Sequence, residues 1–156
     1  MNNIFHEDVR DFIESLNKHK VEYLVIGGYA VGFYGFLRAT GDIDFWINPT
    51  KENAEKIIKA AIEYGISEEN LNVEMFLSDE RIVKIGEYPM KMEVLNKVSG
   101  LNFVECFERR RKGVMDGLEV NMLDFNDLVI NKMMSNRGKD KIDLENIKDK
   151  RDPNKT

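Results

Sequence analysis

The chain has 156 residues, of which 42% are hydrophobic and 33% charged, and its formal net charge is −5. This length suits one compact domain with a buried core, which we place at residues 1–147, followed by a polar tail at residues 148–156. The net negative charge argues against non-specific electrostatic binding of nucleic acid, so any contact with RNA would have to be through a local basic patch.

Cysteine usage and the length of the apolar runs predict a cytoplasmic protein. One cysteine, Cys106, allows no internal disulfide, and the chain opens without a basic segment followed by an apolar core. No apolar run in the sequence approaches the roughly 20 residues that are needed to span a bilayer. We therefore expect a cytoplasmic location and no membrane partner.

The first predicted element is an amphipathic helix over residues 6–19. Its apolar residues recur every three or four positions, which is typical of a helix that buries one face against a sheet. His6 and His19 lie at its ends with no further histidine or cysteine at ligand spacing, so we expect no metal role for either of them.

The run from Tyr23 to Ile47 predicts a strand, a glycine turn, a short helix and a second strand. Its first apolar stretch ends at Gly27 and Gly28, which would let the backbone approach a ligand closely. The helix expected over residues 29–34 would point unpaired N–H groups and a positive dipole end at this turn. That arrangement suits a phosphate.

Two aspartates lie two residues apart on the second strand of this run. Asp42 and Asp44 should share one face, because side chains alternate along a strand. Adjacent carboxylates repel, and a divalent cation such as Mg²⁺, which prefers hard oxygen ligands, relieves that repulsion. A metal site beside a phosphate site indicates phosphoryl or nucleotidyl transfer. Each motif alone is also common at turns and solvated strand edges.

The rest of the chain predicts further helices and strands. They are a helix over 51–64 capped by Thr50, a short helix over 68–76, strands over 81–86 and 90–95, a helix over 103–111, a hairpin over 113–122 and a helix after Asp124. A strand, a helix and another strand in this order form a crossover connection. We therefore expect at least part of the sheet to be mixed.

The residues Gly27-Gly28, Gly35, Arg38, Thr40 and Asp42-Ile43-Asp44 together resemble the signature of the DNA polymerase β-like nucleotidyltransferase superfamily. Within it, the chain is similar to small stand-alone bacterial nucleotidyltransferase-like proteins related to the abortive-infection and toxin–antitoxin nucleotidyltransferases. The resemblance covers roughly residues 23–145. It implies an α/β (α+β) nucleotidyltransferase fold, with a twisted mixed sheet of about five strands and helices mainly on one side.

The same resemblance implies the reaction, its metal and its catalytic acids. A nucleoside monophosphate would pass from an NTP to an acceptor hydroxyl, with release of pyrophosphate, and Asp42 and Asp44 would hold two Mg²⁺ ions. Glu93 is the candidate for the third catalytic and metal-binding acid, which relatives carry as an aspartate on a later strand. Its extra methylene shifts the carboxylate, which bears on the efficiency of transfer. The alternative for Glu93 is a strand-edge acid paired with Lys91 or Arg81.

The charge of a triphosphate exceeds what two Mg²⁺ ions neutralise, so further cations are expected beside it. The predicted nucleotide-binding residues are Gly27, Gly28, Arg38, Thr40, Lys132 and Arg137; Arg38 is assigned from its place in the loop before Asp42, and Lys132 and Arg137 from the resemblance. For Arg137, a salt-bridge junction between two helices is the alternative.

A dense basic run spans residues 109–112, and two interpretations of it stay open. It could contact the phosphates of an RNA acceptor or of an incoming nucleotide. It could also be a solvated face, which the neighbouring acids Glu105 and Glu108 favour.

Two alternatives to an active nucleotidyltransferase come from the same residues. One is a catalytically weakened nucleotide-binding or regulatory module of the same fold. The other is a toxin-like enzyme that modifies tRNA or a protein partner. The acceptor could thus be a small molecule, a tRNA or a protein, and the residues decide neither the nucleobase nor the oligomeric state.

Overall fold

The computed structural model describes residues 7–35, 42–78, 82–86 and 91–135, together with residue 145. The main elements are α1 (Glu7–Lys18), β1 (Tyr23–Ile26), α2 (Gly27–Phe33), β2 (Asp42–Ile47), α3 (Lys51–Tyr64), α4 (Glu74–Leu77), β3 (Ile82–Ile85), β4 (Lys91–Leu95), α5 (Phe103–Glu108), β5 (Arg111–Met115), β6 (Leu118–Met122) and α6 (Phe125–Ser135). A 3₁₀ turn at Glu68–Asn70 precedes α4. No helix within the described ranges is long and apolar enough to cross a membrane.

The six strands form one mixed sheet in the order β3-β4-β2-β1-β6-β5. β1 runs antiparallel to β2 and parallel to β6, while β2 and β4 are parallel. The outer pairs β3–β4 and β5–β6 are antiparallel. The predicted mixed sheet is confirmed, with six strands instead of about five, because both arms of the last hairpin join the sheet.

Neighbouring residues of β2 face two different layers of helices. The Phe12 ring of α1 packs edge-on against Phe45, with ring centroids 5.4 Å apart, and against Tyr64 of α3 at 5.3 Å. Phe103 of α5 packs edge-on against Trp46 at 5.2 Å. Since Phe45 and Trp46 point to opposite faces of the strand, the face that carries Trp46 also carries Asp42 and Asp44. The acids therefore lie on the α5 side.

Local signals in the sequence form as predicted. Thr50 caps α3 by accepting a hydrogen bond from the Asn53 backbone N–H at 3.1 Å. The buried Asn53 amide donates to the carbonyls of Glu22 at 3.0 Å and Asn48 at 2.9 Å, which ties α3 to the strands beside it. The last hairpin turns at Asp116 and Gly117, whose φ angles of 54° and 74° are the left-handed pair that a two-residue loop requires.

The side chains of the basic run at residues 109–112 contact other side chains of the fold. Arg109 donates two hydrogen bonds to Asp127, at 3.1 and 3.0 Å. Further contacts join Arg111 to Asp124 at 3.6 Å and Lys112 to Glu119 at 3.9 Å, and the Arg110 guanidinium lies 4.0 Å from the centre of the Phe107 ring. These contacts favour a structural role for the run over a phosphate-binding one.

Replacing Arg109 with Met should destabilise the protein by about 2 to 3 kcal/mol, because the Asp127 carboxylate would be left buried without its cation. The Asp127 side chain is 4% exposed, and its hydrogen bonds raise the pKa of the Arg109 guanidinium. Urea unfolding measures the loss. Lys112→Met is the matched control, since its pair with Glu119 is exposed and should contribute less than about 1 kcal/mol. Equal losses in the two variants would contradict the prediction.

Stability should fall as the pH rises past about 9, because ionisation of Cys106 is disfavoured in the folded state. Burial raises the pKa of this thiol from 9.0 to about 11, and the Asp127 carboxylate adds to the shift. A raised pKa stabilises the fold below the pKa of the unfolded chain, and this contribution is lost as the pH approaches 11. Urea unfolding at about pH 8 and about pH 10.5 should show a smaller loss for Cys106→Ala than for the wild type. An equal loss in both would remove Cys106 as the cause.

Candidate functional site

The sheet topology brings the end of β1 beside interior residues of β2 and β4. Because β1 and β2 are antiparallel, Ile26 at the end of β1 lies opposite Asp44. On the other side of β2, the parallel register places Glu93 of β4 opposite Asp44. Register partners on neighbouring strands project to the same face and lie about 5 Å apart. The two carboxylates are therefore neighbours, and Gly27, the next residue after β1, lies beside them.

A cavity of about 320 Å³ opens over this part of the sheet. Four of the residues predicted for the site line it: Gly27, Asp44, Glu93 and Lys132. Its other lining residues are apolar (Ile26, Ile82, Leu95, Val98) or polar (Lys97, Ser99, Asn131). The cavity thus combines Gly27 at the end of β1, the carboxylates of Asp44 and Glu93, and the lysine side chain of Lys132.

Gly27 has no room for a side chain. Its φ angle is +71°, a left-handed conformation, and a Cβ atom added there would lie 2.6 Å from Oδ2 of Asp44. A real Cβ atom does not approach an oxygen this closely, so any larger residue would displace the carboxylate. This position therefore keeps the backbone and the Asp44 carboxylate in close proximity.

Lys132 reaches the cavity from the last described helix. Lys132 is 3% exposed, which is unusual for lysine, and it lines the same cavity as the partly buried Asp44 and Glu93. The start of its helix is held by the Arg109–Asp127 pair and by Asp124, whose carboxylate accepts a hydrogen bond from the Asn126 backbone N–H at 3.1 Å. The connection between α5 and α6 therefore sets where Lys132 lies.

Other predicted site residues are not gathered in the cavity. Asp42 is exposed at the start of β2, opposite Lys91, and it shares a face with Asp44 without lining the cavity. Gly28 lies in the first turn of α2, which begins at Gly27 and not at residue 29 as expected. The other predicted nucleotide-binding residues lie outside the described ranges: Arg38, Thr40 and Arg137.

The carboxylate donors that line the cavity, Asp44 and Glu93, suit Mg²⁺. Within the described ranges, no group of three His, Cys, Asp or Glu residues is placed to hold a metal ion. Mg²⁺ is commonly held by one or two carboxylates together with water and substrate phosphates, so Asp44 and Glu93 would be sufficient protein ligands. The site of three acids including Asp42 stays a prediction.

Several lining residues did not emerge from the sequence. Leu95 follows Glu93 by two positions, so strand alternation could have placed it on the same face. Ile82 reaches that face only through its register with Leu95 across β3 and β4. Asn131 and Ser99 come from α6 and the loop after β4, and no local pattern marked either of them.

Sequence comparison matches residues 6–149 to a protein family described as a nucleotidyltransferase of unknown function (DUF6036). No curated protein matches the chain.

Two solved structures share the fold. One is a candidate nucleotidyltransferase (TM1012) from Thermotoga maritima, with a TM-score of 0.61 and 16% identity over 92% of this chain and 91% of that one. The other is the lincosamide antibiotic adenylyltransferase LnuA with lincomycin bound, with a TM-score of 0.60 and 14% identity over 94% of this chain and 98% of that one. These likenesses show that the chain has a nucleotidyltransferase fold.

Proposed function

Since the chain belongs to the DUF6036 family of nucleotidyltransferases, we propose that it transfers a nucleoside monophosphate from an NTP to an acceptor hydroxyl. Pyrophosphate is the second product. The observation that carries this proposal is the single cavity lined by Gly27, Asp44, Glu93 and Lys132. It brings together a backbone corner, two carboxylates and a buried cation, which are the groups that phosphoryl-group transfer uses for positioning and charge.

The carboxylates of Asp44 and Glu93 are the proposed protein ligands for Mg²⁺, with Asp42 on the same strand face as a further ligand. When bound, Mg²⁺ would neutralise charge on the phosphate oxygens. Two ions are expected from the resemblance noted in the sequence.

Lys132 and Gly27 have complementary proposed roles towards the triphosphate. The buried ammonium of Lys132 would stabilise the negative charge that grows on the leaving pyrophosphate, because charges interact strongly in a site with little water. Gly27 is the proposed backbone contact for the phosphates, as the resemblance implies, and its lack of a Cβ atom leaves the space that Oδ2 of Asp44 occupies.

Glu93 is the proposed base. Its carboxylate would accept the proton of the acceptor hydroxyl as the acceptor oxygen forms a bond to the α-phosphorus. The bond between that phosphorus and the pyrophosphate oxygen breaks at the same time, and its electron pair leaves with pyrophosphate. The two products then contain every atom of the NTP and the acceptor except this proton, which Glu93 holds and afterwards releases to water or to pyrophosphate.

A weakened nucleotide-binding module is the second candidate. The observation that favours it is that no group of three His, Cys, Asp or Glu side chains in the described part of the chain is placed to hold a metal ion. A glutamate at position 93, where the resemblance implies an aspartate, also favours this candidate. Such a module would bind Mg²⁺-NTP and release no pyrophosphate.

The first experiment measures pyrophosphate release from each of the four NTPs with Mg²⁺, in the presence of a small-molecule extract, total tRNA or a protein lysate. We expect release with one acceptor class, and label from an α-³²P-NTP should appear in that class. Nucleotide binding without release from any mixture would favour the module. Label in tRNA or in a protein would favour the toxin-like alternative.

Two variants of Glu93 separate an active enzyme from a weakened one. Glu93→Gln should lower transfer by about a hundredfold, because the base is lost. Glu93→Asp should also lower transfer, by about tenfold, if the glutamate is matched to this cavity. Faster transfer by Glu93→Asp would instead identify the wild type as the weakened form.

A further inference from the structure

We propose that a second cavity, at the opposite end of β1 from Gly27, binds a small phosphorylated sugar or polyol. Its volume is about 560 Å³, against about 320 Å³ for the cavity of the candidate site, and the two cavities share no lining residue. Val21 and Glu22 line the second cavity just before β1, whereas Gly27 follows that strand. The inference concerns a separate site and does not depend on the proposed transfer reaction.

One wall of the second cavity is fixed by hydrogen bonds. The hydroxyl of the buried Tyr23 donates to Oδ1 of Asn17 at 2.8 Å, and the Asn17 amide donates to the Glu119 carbonyl at 2.7 Å. The backbone N–H of Asn121 donates to the same hydroxyl at 3.4 Å. These bonds join α1, β1 and β6, so this wall is formed before any ligand binds, as is usual for small-molecule sites.

Arg110 brings a cation that is held in place but only partly used. Its guanidinium lies 4.0 Å from the centre of the Phe107 ring, and Nη1 donates to the Phe107 carbonyl at 2.9 Å. Its Nε atom is buried and has no hydrogen-bond partner within the described ranges, which costs free energy. The adjacent Nε and Nη2 groups of a guanidinium match two oxygens of a phosphate. A phosphate at this edge would supply the missing acceptor.

Lys20 adds a second cation from a position that usually holds glycine. The end of α1 is closed by hydrogen bonds from the Lys20 N–H to the Asn17 carbonyl at 3.1 Å and from the Val21 N–H to the Leu16 carbonyl at 3.0 Å. This helix ending needs a left-handed residue, and the φ angle of Lys20 is 56°. Lysine is less favourable than glycine there, and its exposed side chain lines the cavity. Unfavourable backbone conformations of this kind are concentrated at ligand sites.

The charges around the cavity favour an anion. Three cations line it, Lys20, Arg110 and Lys112, together with two carboxylates, Glu22 and Glu119. Lys112 and Glu119 offset each other, since Nζ and Oε1 are 3.9 Å apart. The remaining lining has two positive charges against one negative charge, and Arg110 provides the paired donors that a phosphate takes.

The rest of the lining suits hydroxyl groups better than a nucleobase or a polymer. The carboxylates of Glu22 and Glu119 accept hydrogen bonds from hydroxyls, and they would repel a chain of phosphates such as RNA. Phe107, the aromatic residue in the lining, already stacks on Phe103 with ring centroids 5.4 Å apart and carries the Arg110 guanidinium. A nucleobase would have to displace these contacts in order to stack.

Titration of the full chain with ribose 5-phosphate, followed by the NMR signals of the backbone amides, tests the proposal. Ribose is the matched probe without phosphate. Ribose 5-phosphate should shift the amide signals of Lys20, Val21 and Asn121 and reach saturation, and ribose should bind at least about tenfold more weakly.

Variants of Arg110 test the phosphate contact. Arg110→Gln should weaken the binding of ribose 5-phosphate about tenfold, and Arg110→Lys should also weaken it, because lysine keeps the charge but lacks the paired donors. Lys59→Gln is the matched control. It removes an exposed lysine of α3 that does not line the cavity, so the affinity should not change.

Lys20→Gly separates a ligand contact from a structural role. Because glycine is the preferred residue at this helix end, the variant should unfold at the same urea concentration as the wild type or at a higher one. It should nevertheless bind ribose 5-phosphate about threefold more weakly, because one of the cations is lost. This variant decides the matter if Arg110→Gln does not fold.

Four results would overturn the proposal. They are equal affinities for ribose and ribose 5-phosphate, binding of neither, shifts confined to residues of the Gly27 cavity, and unchanged affinity in both Arg110→Gln and Lys20→Gly. Tighter binding of succinate, of AMP or of a single-stranded RNA than of ribose 5-phosphate would overturn the assignment to a sugar phosphate.

Discussion

Replacing Asp44 with Asn should lower nucleotidyl transfer by about a hundredfold to a thousandfold while the protein stays folded. Asp44 lies at the centre of the site. Glu93 is its register partner on β4 and Ile26 its register partner on β1. Gly27 leaves space for its Oδ2 atom. Asparagine keeps the shape of the side chain and removes the charge that would hold Mg²⁺.

The same replacement should leave the fold intact, because asparagine has nearly the size and shape of aspartate and Asp44 is only partly buried. Pyrophosphate release and thermal unfolding, measured on the same preparation, test both parts. Asp11→Asn, on the exposed side of α1, is the control and should change neither quantity. A folded Asp44→Asn variant with wild-type transfer would refute the proposed site.

Replacing Gly27 with Ala should also lower transfer strongly, by about a hundredfold, because a methyl group there would displace the Asp44 carboxylate. The added Cβ would lie 2.6 Å from Oδ2 of Asp44, so the carboxylate or the backbone must move. A positive φ angle also makes alanine unfavourable at this position by about 1 to 2 kcal/mol.

Gly117→Ala separates these two effects. Gly117 has nearly the same φ angle, +74° against +71° for Gly27, and a Cβ atom there would meet nothing within 4 Å. Both variants should lose stability from backbone strain, which urea unfolding would show. Only Gly27→Ala should lose transfer. If Gly117→Ala lost as much activity, strain alone would account for the effect of Gly27→Ala.

Features that depend on near neighbours in the chain were predictable. The Asp-x-Asp spacing places Asp42 and Asp44 on one face because strand side chains alternate, and the structure has both on β2. Thr50 and the turn at Asp116-Gly117 were read from residue types whose preferred hydrogen bonds or φ angles are local. The glycine turn was also found, although α2 begins two residues earlier than the apolar pattern indicated.

The arrangement of the site depends on contacts between distant parts of the chain. Glu93 lies beside Asp44 only because β4 pairs with β2 in a parallel register, across a long connection. Ile82 reaches the same cavity through a second pairing, and the depth of Lys132 follows from how α6 packs.

By itself, then, the sequence determined the nucleotidyltransferase-like order of elements, the glycine corner and the shared face of the two aspartates. Tertiary structure alone decided that Asp44 and Glu93 share a cavity with Lys132, that Asp42 lies exposed at the start of β2, and that Arg109 of the basic run pairs with Asp127. The physical reason is the distance along the chain over which each interaction acts. Helix caps, turns and alternation act over a few residues, whereas strand register and helix packing are set by the burial of the whole core.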